Sequence, residues 1–278
     1  MSYEEIYKSK LMTADEAVAA HIKSGDKIWL GGLSVADKVL SCVIEKVKQG
    51  ALENIDFYGN MTMDDIGLAD KDIPADKFRY HAFFYGGYER EGCKNGVVTN
   101  VPLHLSRFED YVSYIDPDVA VVPMTPPNEQ GFCNIGPAGY SPSGLNHAKK
   151  IIAQINKNIP RVYGSSHDYH VNDIAAFVEC HKAELMPSSH PPPATEEKIA
   201  SYILERIPDG ACIQLGIGGT ANAVGFGLKD KKHLGIHSEM YTDSMAYLQS
   251  IGVVDNSRKT FMPGLSVAGF AFNTAQTN

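Results

Sequence analysis

Two stretches of this chain repeat one pattern. The first, TADEAVAAHIKSGDKIWLGGLSVADKVL, runs into LENIDFYGN; the second, TEEKIASYILERIPDGACIQLGIGGTANAVGFGL, runs into KHLGIHSEM. Each reads as an amphipathic helix opened by threonine, an Asp/Gly turn, a short apolar strand, a glycine-rich turn, a second helix and a second strand. Gly25, Ile28, Leu30 and Gly31 of the first match Gly210, Ile213, Leu215 and Gly216 of the second. Laying the second strands over one another puts Asn60 opposite Glu239. A strand, a crossover helix and a strand in this order close into a parallel pair. Two such units therefore predict an α/β protein with two open parallel sheets.

Between the repeats, YIDPDVAVVPMTPPNEQGFCNIG predicts a buried strand, VAVVP, emerging into a Pro/Asn/Gly-rich loop. NHAKKIIAQINKNIP reads as a helix and RVYGSSH as a further strand. The run MPSSHPPPAT forbids a helix through its three prolines and reads as a linker. The boundaries are thus a first domain over 1–187, a linker over 188–194 and a second domain over 195–278. Thr195 is placed as the cap of the helix after the linker, with Glu196 and Glu197 in the first turn, where the helix dipole favours acids. The second domain is short and passes from the apolar VAGFAF into the polar NTAQTN. A sheet ending there leaves an apolar edge bare, so the domain is read as shortened or completed by a partner, and a homo-oligomer is expected.

A net charge of −8 argues against a general nucleic-acid binder, which needs a basic footprint; it leaves room for a small anionic ligand held by backbone dipoles. MSYEEIYKSK lacks the apolar core of a secretory signal, and no run of 18 apolar residues predicts a membrane span. Five scattered cysteines, Cys42, Cys93, Cys133, Cys180 and Cys212, form no CxxC pair and fit free thiols in a reducing cytoplasm. His167, Asp168 and His170 have mixed spacing with no further cluster to complete a site. They read as loop residues, and no metal is expected.

Ligands of open α/β sheets bind at the carboxyl ends of strands. Two segments of the second repeat are placed there: the turn Gly216-Ile217-Gly218-Gly219 with Thr220 behind it, and the tripeptide His237-Ser238-Glu239 on the neighbouring strand. Three readings stand side by side. In the first, the glycines only make a tight turn and Glu239 opens the next helix. In the second, Gly216–Ala221 is a G-x-G-x-x-A dinucleotide fingerprint and Glu239 its ribose-binding acid. In the third, Glu239 is a nucleophile and glycine N–H groups stabilise an oxyanion.

GIHSEM, on a strand after QLGIGGTANAV, closely resembles the catalytic region of the acetyl-CoA hydrolase/transferase family, class I CoA-transferases that include 4-hydroxybutyrate and butyryl-CoA:acetate enzymes. MTADEAVAAHIKSGDKIWLGG, INKNIPRVYGSSHDYHVNDI and the Pro-rich linker extend the resemblance over about residues 10–272. It implies two α/β domains with the active site between them. It also implies a ping-pong transfer in which Glu239 attacks acyl-CoA, passes through an acyl-glutamyl anhydride and becomes a glutamyl-CoA thioester. Gly216, Gly218, Gly219 and Thr220 would form the oxyanion and CoA-binding turn, with His237 and Asn222 in support. The substrates implied are short-chain acyl-CoA and small carboxylates, with CoA itself as substrate and product and no other cofactor. Family members continue past this chain's last residues, and GGLSVAD lacks the G-x-P pattern of the family's first glycine turn.

The remaining residues are read structurally. His237 shares a strand face with Glu239 and is expected to be packed or hydrogen-bonded. Lys229, Lys231 and Lys232 complement a helix C-terminus at the far strand end. Asp64 and Asp65 read as solvated loop acids, Met61 and Met63 as packing residues. Asn134, Gly136 and Ser141 read either as turn residues or as acyl-group contacts.

Overall fold

The computed structural model describes residues 2–137, 139, 141–162, 164–183 and 192–272. The chain divides into two compact units, Met1–Leu185 and Met186–Asn278. The first opens with α1 (Tyr3–Ser9) and α2 (Ala14–His21). Each is begun by a capping box, in which Ser2 with Glu5, or Thr13 with Glu16, satisfies backbone N–H groups reciprocally. β1 (Lys27–Leu33), α3 (Asp37–Lys48) and β2 (Ile55–Thr62) then form the expected β-α-β unit. β3 (Phe78–Ala82), α4 (Gly87–Lys94), β4 (Val98–Asn100), α5 (Phe108–Ile115), β5 (Val119–Met124), β6 (Phe132–Asn134) and α6 (Ser141–His147) follow. β7 (Lys150–Ile155), β8 (Asp168–His170) and β9 (Ala176–Glu179) complete the unit.

Seven strands make one parallel sheet, in the order β4-β3-β2-β1-β5-β7-β9. β6 and β8 pair antiparallel as a separate ribbon. The chain winds outward from β1 to β4, then returns to β5 on the other side of β1, a doubly wound topology. Because alternate strand residues point to opposite faces, Ile28, Leu30, Phe57 and Val121 enter one core with α2 and α3. Trp29, Ala120, Val122 and Ile151 enter the other with α5 and α6. Gly144 of α6 lies flat on Trp29: a Cβ there would fall 2.1 to 2.2 Å from three indole carbons.

In the first unit the structure corrects three readings of the sequence. Within NHAKKIIAQINKNIP, Lys150–Ile155 is the strand β7, buried from Ile151 to Ile155; a strand covered on both faces loses the alternation that would mark it. Within RVYGSSH, the described residues form no strand, and Ser165–His167 is a 3-10 turn. Asp64 is not a solvated acid. It is 3% exposed, accepts from the Val35 N–H at 3.0 Å and pairs with Lys182 at 2.5 Å, while Lys182 also reaches Asp37 at 2.8 Å. Burial pulls the Lys182 pKa down, but the hydrogen bonds to Asp37 and Asp64 outweigh it and hold the pKa above its ordinary value. A raised folded pKa means that this contribution to stability is complete below the ordinary lysine range and fades as pH climbs through the higher folded value. Asp64→Ala is expected to lower the stability of the first unit by about 2–3 kcal/mol, read by urea unfolding, since two donors lose their acceptor.

The second unit runs α7 (Ala194–Leu204), β10 (Cys212–Ile213), α8 (Gly219–Gly227), β11 (Gly235–Thr242), α9 (Asp243–Ser250) and β12 (Val267–Phe272). Its sheet is parallel, in the order β10-β11-β12. Pro193, not Thr195, is the N-cap of α7 and makes no side-chain cap bond; Thr195 lies inside the first turn, where Glu196 and Glu197 supply the expected acids. Of the linker, residues 188–191 lie outside the described residues. Ile213, Leu215, Val224, Leu228, Ile236, Met245 and Leu248 form the core. Among the described residues, no helix is long and apolar enough to cross a membrane.

The registers support the internal repeat. Ile28 pairs with Phe57, and its counterpart Ile213 pairs with Ile236. Three residues beyond those partners lie Asn60 and Glu239, so the two occupy equivalent places in their units.

Candidate active site

The burial pattern of β11 shows how the sequence aims its polar side chains. Ile236, Ser238 and Met240 are buried, whereas His237 and Glu239 between them are exposed on the opposite face. Glu239 is the fifth residue of an eight-residue strand, and α9 begins only at Asp243. It does not open a helix, which corrects the place that the first reading gave it. Nor does it stand at the strand's carboxyl end, where the sequence placed it: the strand continues for three residues to Thr242.

A glycine lies level with Glu239 on each side, one in the turn after β10 and one on β12. Continuing the Ile213–Ile236 register by three residues brings Gly216 level with it, and Ser238 Oγ, donating to the Leu215 carbonyl at 3.3 Å, keeps the two segments in step. On the other side, Gly269 falls between the pairs Ser238–Ala268 and Met240–Phe270. A Cβ on Gly269 would sit 3.0 Å from the Glu239 carbonyl oxygen. Gly216 of the turn after β10 and Gly269 of β12 thus lie level with Glu239.

The glycine turn leads from Gly216 into α8. Gly218 has φ +133°, a backbone state that L side chains rarely adopt, and is the N-cap with no side-chain cap bond. The first hydrogen bond of the helix runs from Asn222 N–H to the Gly218 carbonyl at 3.0 Å, so the N–H groups before it have no partner within the helix. Gly216, Gly218, Gly219 and Thr220 line a hollow of about 550 Å³, together with Glu196, Ile203, Gln214, Leu215, Ile217, Ala221 and Val224. Glu239, His237 and Asn222 are not on its wall.

The equivalent place in the first unit is closed by the protein itself. Gln154 Oε1 accepts from Lys38 N–H at 3.0 Å and Val39 N–H at 3.3 Å, capping α3 from β7. Ser141 stands where a Cβ of Gly31 would be, its Oγ 2.3 Å from that point. One glycine turn is filled and the other opens onto a hollow, which singles out the second unit.

The other residues singled out by sequence take structural places. His237 stacks on Phe261, with ring centroids 5.5 Å apart. The loop carrying Phe261 is tied to β11 by Asn256, whose Oδ1 accepts from Ile236 N–H at 2.9 Å, and by Lys259, which donates to the Ile236 carbonyl at 2.7 Å. Asn134 is buried with its amide spent on Val162, Gly136 and Asp168, and a Cβ on Gly136 would strike Ile159. Asn134 closes β6 and Gly136 follows it, both held by contacts within the unit. Asp168 pairs with Arg161 at 2.6 Å and His170 packs edge-on against Tyr3 and Phe132; among the described residues, no group of His, Cys, Asp and Glu could hold a metal ion. Lys231 and Lys232 lie just before β11 begins, at the opposite end of the strand from the glycine turn. Sequence reasoning missed Glu196 as a wall residue, Gly269, and the Asn256–Lys259 tie; the first was visible only as a helix-dipole acid.

Residues 1–187 match the model of the acetyl-CoA hydrolase/transferase N-terminal domain. Among curated proteins, the chain is 35% identical over 282 aligned positions to a butyryl-CoA:acetate CoA-transferase of Anaerostipes caccae, with 99% of this chain and 63% of that protein covered. It is 34% identical to a 4-hydroxybutyrate coenzyme A transferase of Clostridium kluyveri, with 99% and 64% covered. The chain thus spans less than two thirds of the length of these relatives. Among solved structures, RipA from Yersinia pestis superposes with a TM-score of 0.92 at 26% identity, over 99% of this chain and 66% of that one. A 4-hydroxybutyrate CoA-transferase from Porphyromonas gingivalis shares the fold, with a TM-score of 0.80 at 24% identity, over 99% and 66%.

Proposed function

The chain belongs to the acetyl-CoA hydrolase/transferase family, and from that premise we propose that it moves coenzyme A between a short-chain acyl-CoA and a small carboxylate through Glu239. The observation that carries this is the glycine-flanked, exposed Glu239 beside a turn whose helix N-terminus is uncapped.

The Glu239 carboxylate attacks the thioester carbonyl; the tetrahedral oxyanion collapses with cleavage of the C–S bond, giving an acyl-glutamyl anhydride and CoA thiolate. The thiolate then attacks the glutamyl carbonyl of the anhydride and expels the acyl group as its carboxylate, leaving a glutamyl-CoA thioester. An acceptor carboxylate reverses both steps. An anhydride preserves the activation of the acyl group, which is why the chemistry uses a carboxylate as nucleophile. The backbone N–H groups at Gly218 and Gly219 serve as oxyanion donors, each such donor contributing about 10²–10³ in rate. Gly216 and Gly269 leave space for the approach.

The test is acceptor dependence. With butyryl-CoA and isotopically labelled acetate, labelled acetyl-CoA is expected to form, and butyryl-CoA is expected to persist when acetate is omitted. Loss of thioester that proceeds equally without acetate would make the protein an acyl-CoA hydrolase. Absence of both reactions from folded protein would overturn the reading.

A further inference from the structure

Three large apolar side chains stand in solvent on a single loop of the second unit: Phe261, Met262 and Leu265 are 55%, 49% and 59% exposed. Scattered exposed hydrophobics are ordinary, but a group of them on a fixed loop marks a place where something apolar binds. The loop between α9 and β12 is fixed. The carbonyl of the buried Asn256 accepts from Gly264 N–H at 3.0 Å, and its Nδ2 donates to Ser266 Oγ at 3.1 Å. Lys259, also buried, lies against Gly235, where a Cβ would fall 2.5 Å from its Cγ, and donates to the Leu265 carbonyl at 2.5 Å. Met262 is held at φ +49°, a state that bulky residues rarely adopt and that persists only where the surroundings enforce it. This loop reaches the face of β11 that carries Glu239. Strand alternation puts His237 on that face, two residues and about 6.6 Å before Glu239, and the Phe261 ring stacks on His237 at 5.5 Å and 22°. On the neighbouring strand Val267 pairs with His237, while Gly269, level with Glu239, brings no side chain.

We propose that the His237–Phe261 ring pair, with Val267, is the end wall of an acyl-chain subsite and limits the substrate to short chains. This inference rests on the CoA-transfer reading and deepens it by naming the residues that set acyl length. With the thioester carbonyl over Glu239 and its oxygen turned to the N–H groups of the glycine turn, the acyl chain lies back along β11 toward His237. At about 1.5 Å for each C–C bond, the three bonds of a butyryl chain fit between Glu239 and the ring pair. The five of a hexanoyl chain run into it. An aromatic and aliphatic wall suits methylene and methyl groups, because their burial is what water favours. A wall on a tied loop holds its place, so it discriminates by length, where a mobile one would yield.

Exchange of labelled acetate into acetyl-, butyryl- and hexanoyl-CoA by the 278-residue chain tests this. In the parent, kcat/KM is expected to rise from acetyl- to butyryl-CoA and to fall at hexanoyl-CoA. Phe261→Ala is expected to raise the hexanoyl-to-butyryl ratio of kcat/KM about tenfold, since each methylene that gains a place in an apolar pocket is worth about fourfold. Phe261→Trp brings the wall closer and is expected to lower the butyryl-to-acetyl ratio by about fourfold or more, the loss of at least one methylene's place. Position 261 is exposed, so both variants are expected to fold, and their urea midpoints check it. A structural role alone would scale kcat/KM alike for all three substrates. Unchanged ratios in folded Phe261→Ala, or a parent that transfers from hexanoyl-CoA as well as from butyryl-CoA, would overturn the proposal while leaving CoA transfer intact. A folded parent that exchanges no acyl group would overturn both.

Discussion

Glu239→Gln is expected to abolish acyl exchange, with a fall of at least ~10⁴-fold in turnover, the scale on which enzymes lose rate when a covalent nucleophile is removed. Glutamine keeps the size and polarity of the side chain but cannot form the anhydride. Glu239 is exposed on the face of β11 opposite the buried Ser238 and Met240. The core therefore loses nothing in the exchange, and stability is expected to stay within about 0.5 kcal/mol of the parent, as for surface substitutions generally. A variant that is as stable as the parent and yet inactive separates a chemical role from a structural one. A variant that retains exchange would remove Glu239 from the mechanism.

The second large effect is structural and lies in the other unit. Gly144→Val is expected to destabilise the first unit by about 3 kcal/mol, at the upper end of core overpacking. The helix α6 rests directly on Trp29, which is fully buried, and the first side-chain atom at position 144 would overlap the indole ring. The ring has no room to retreat, since Phe83 and Phe108 stand 6.0 and 5.6 Å from it, centroid to centroid. Trp29 is the chain's one tryptophan, so its fluorescence during urea unfolding reports this unit alone. An unchanged unfolding midpoint would mean that α6 can lift from β1, contrary to the packing described.

Much of this was readable from residue order, because periodicity and turn chemistry are local. The glycine turn, the alternation along GIHSEM and the correspondence of Asn60 with Glu239 all follow from spacing, and the strand registers agree with them. What escaped was non-local. KIIAQI is a strand because both sheet faces are covered at β7, a fact of topology that its own pattern does not carry. Asp64 is buried because Lys182, 118 residues away in sequence, brings it a charge. Glu196 reads as a helix-dipole acid in sequence, yet in space it fills the place of a Gly219 side chain. The place of Gly269 beside Glu239 depends on a strand pairing that no local signal announces.

The most direct test of the central claim is covalent. Incubation with butyryl-CoA, followed by intact mass measurement and peptide mapping, is expected to show CoA attached through a thioester at Glu239 and absent from Glu239→Gln. Folded protein that carries no adduct at Glu239, or that carries it equally in the variant, would contradict the account.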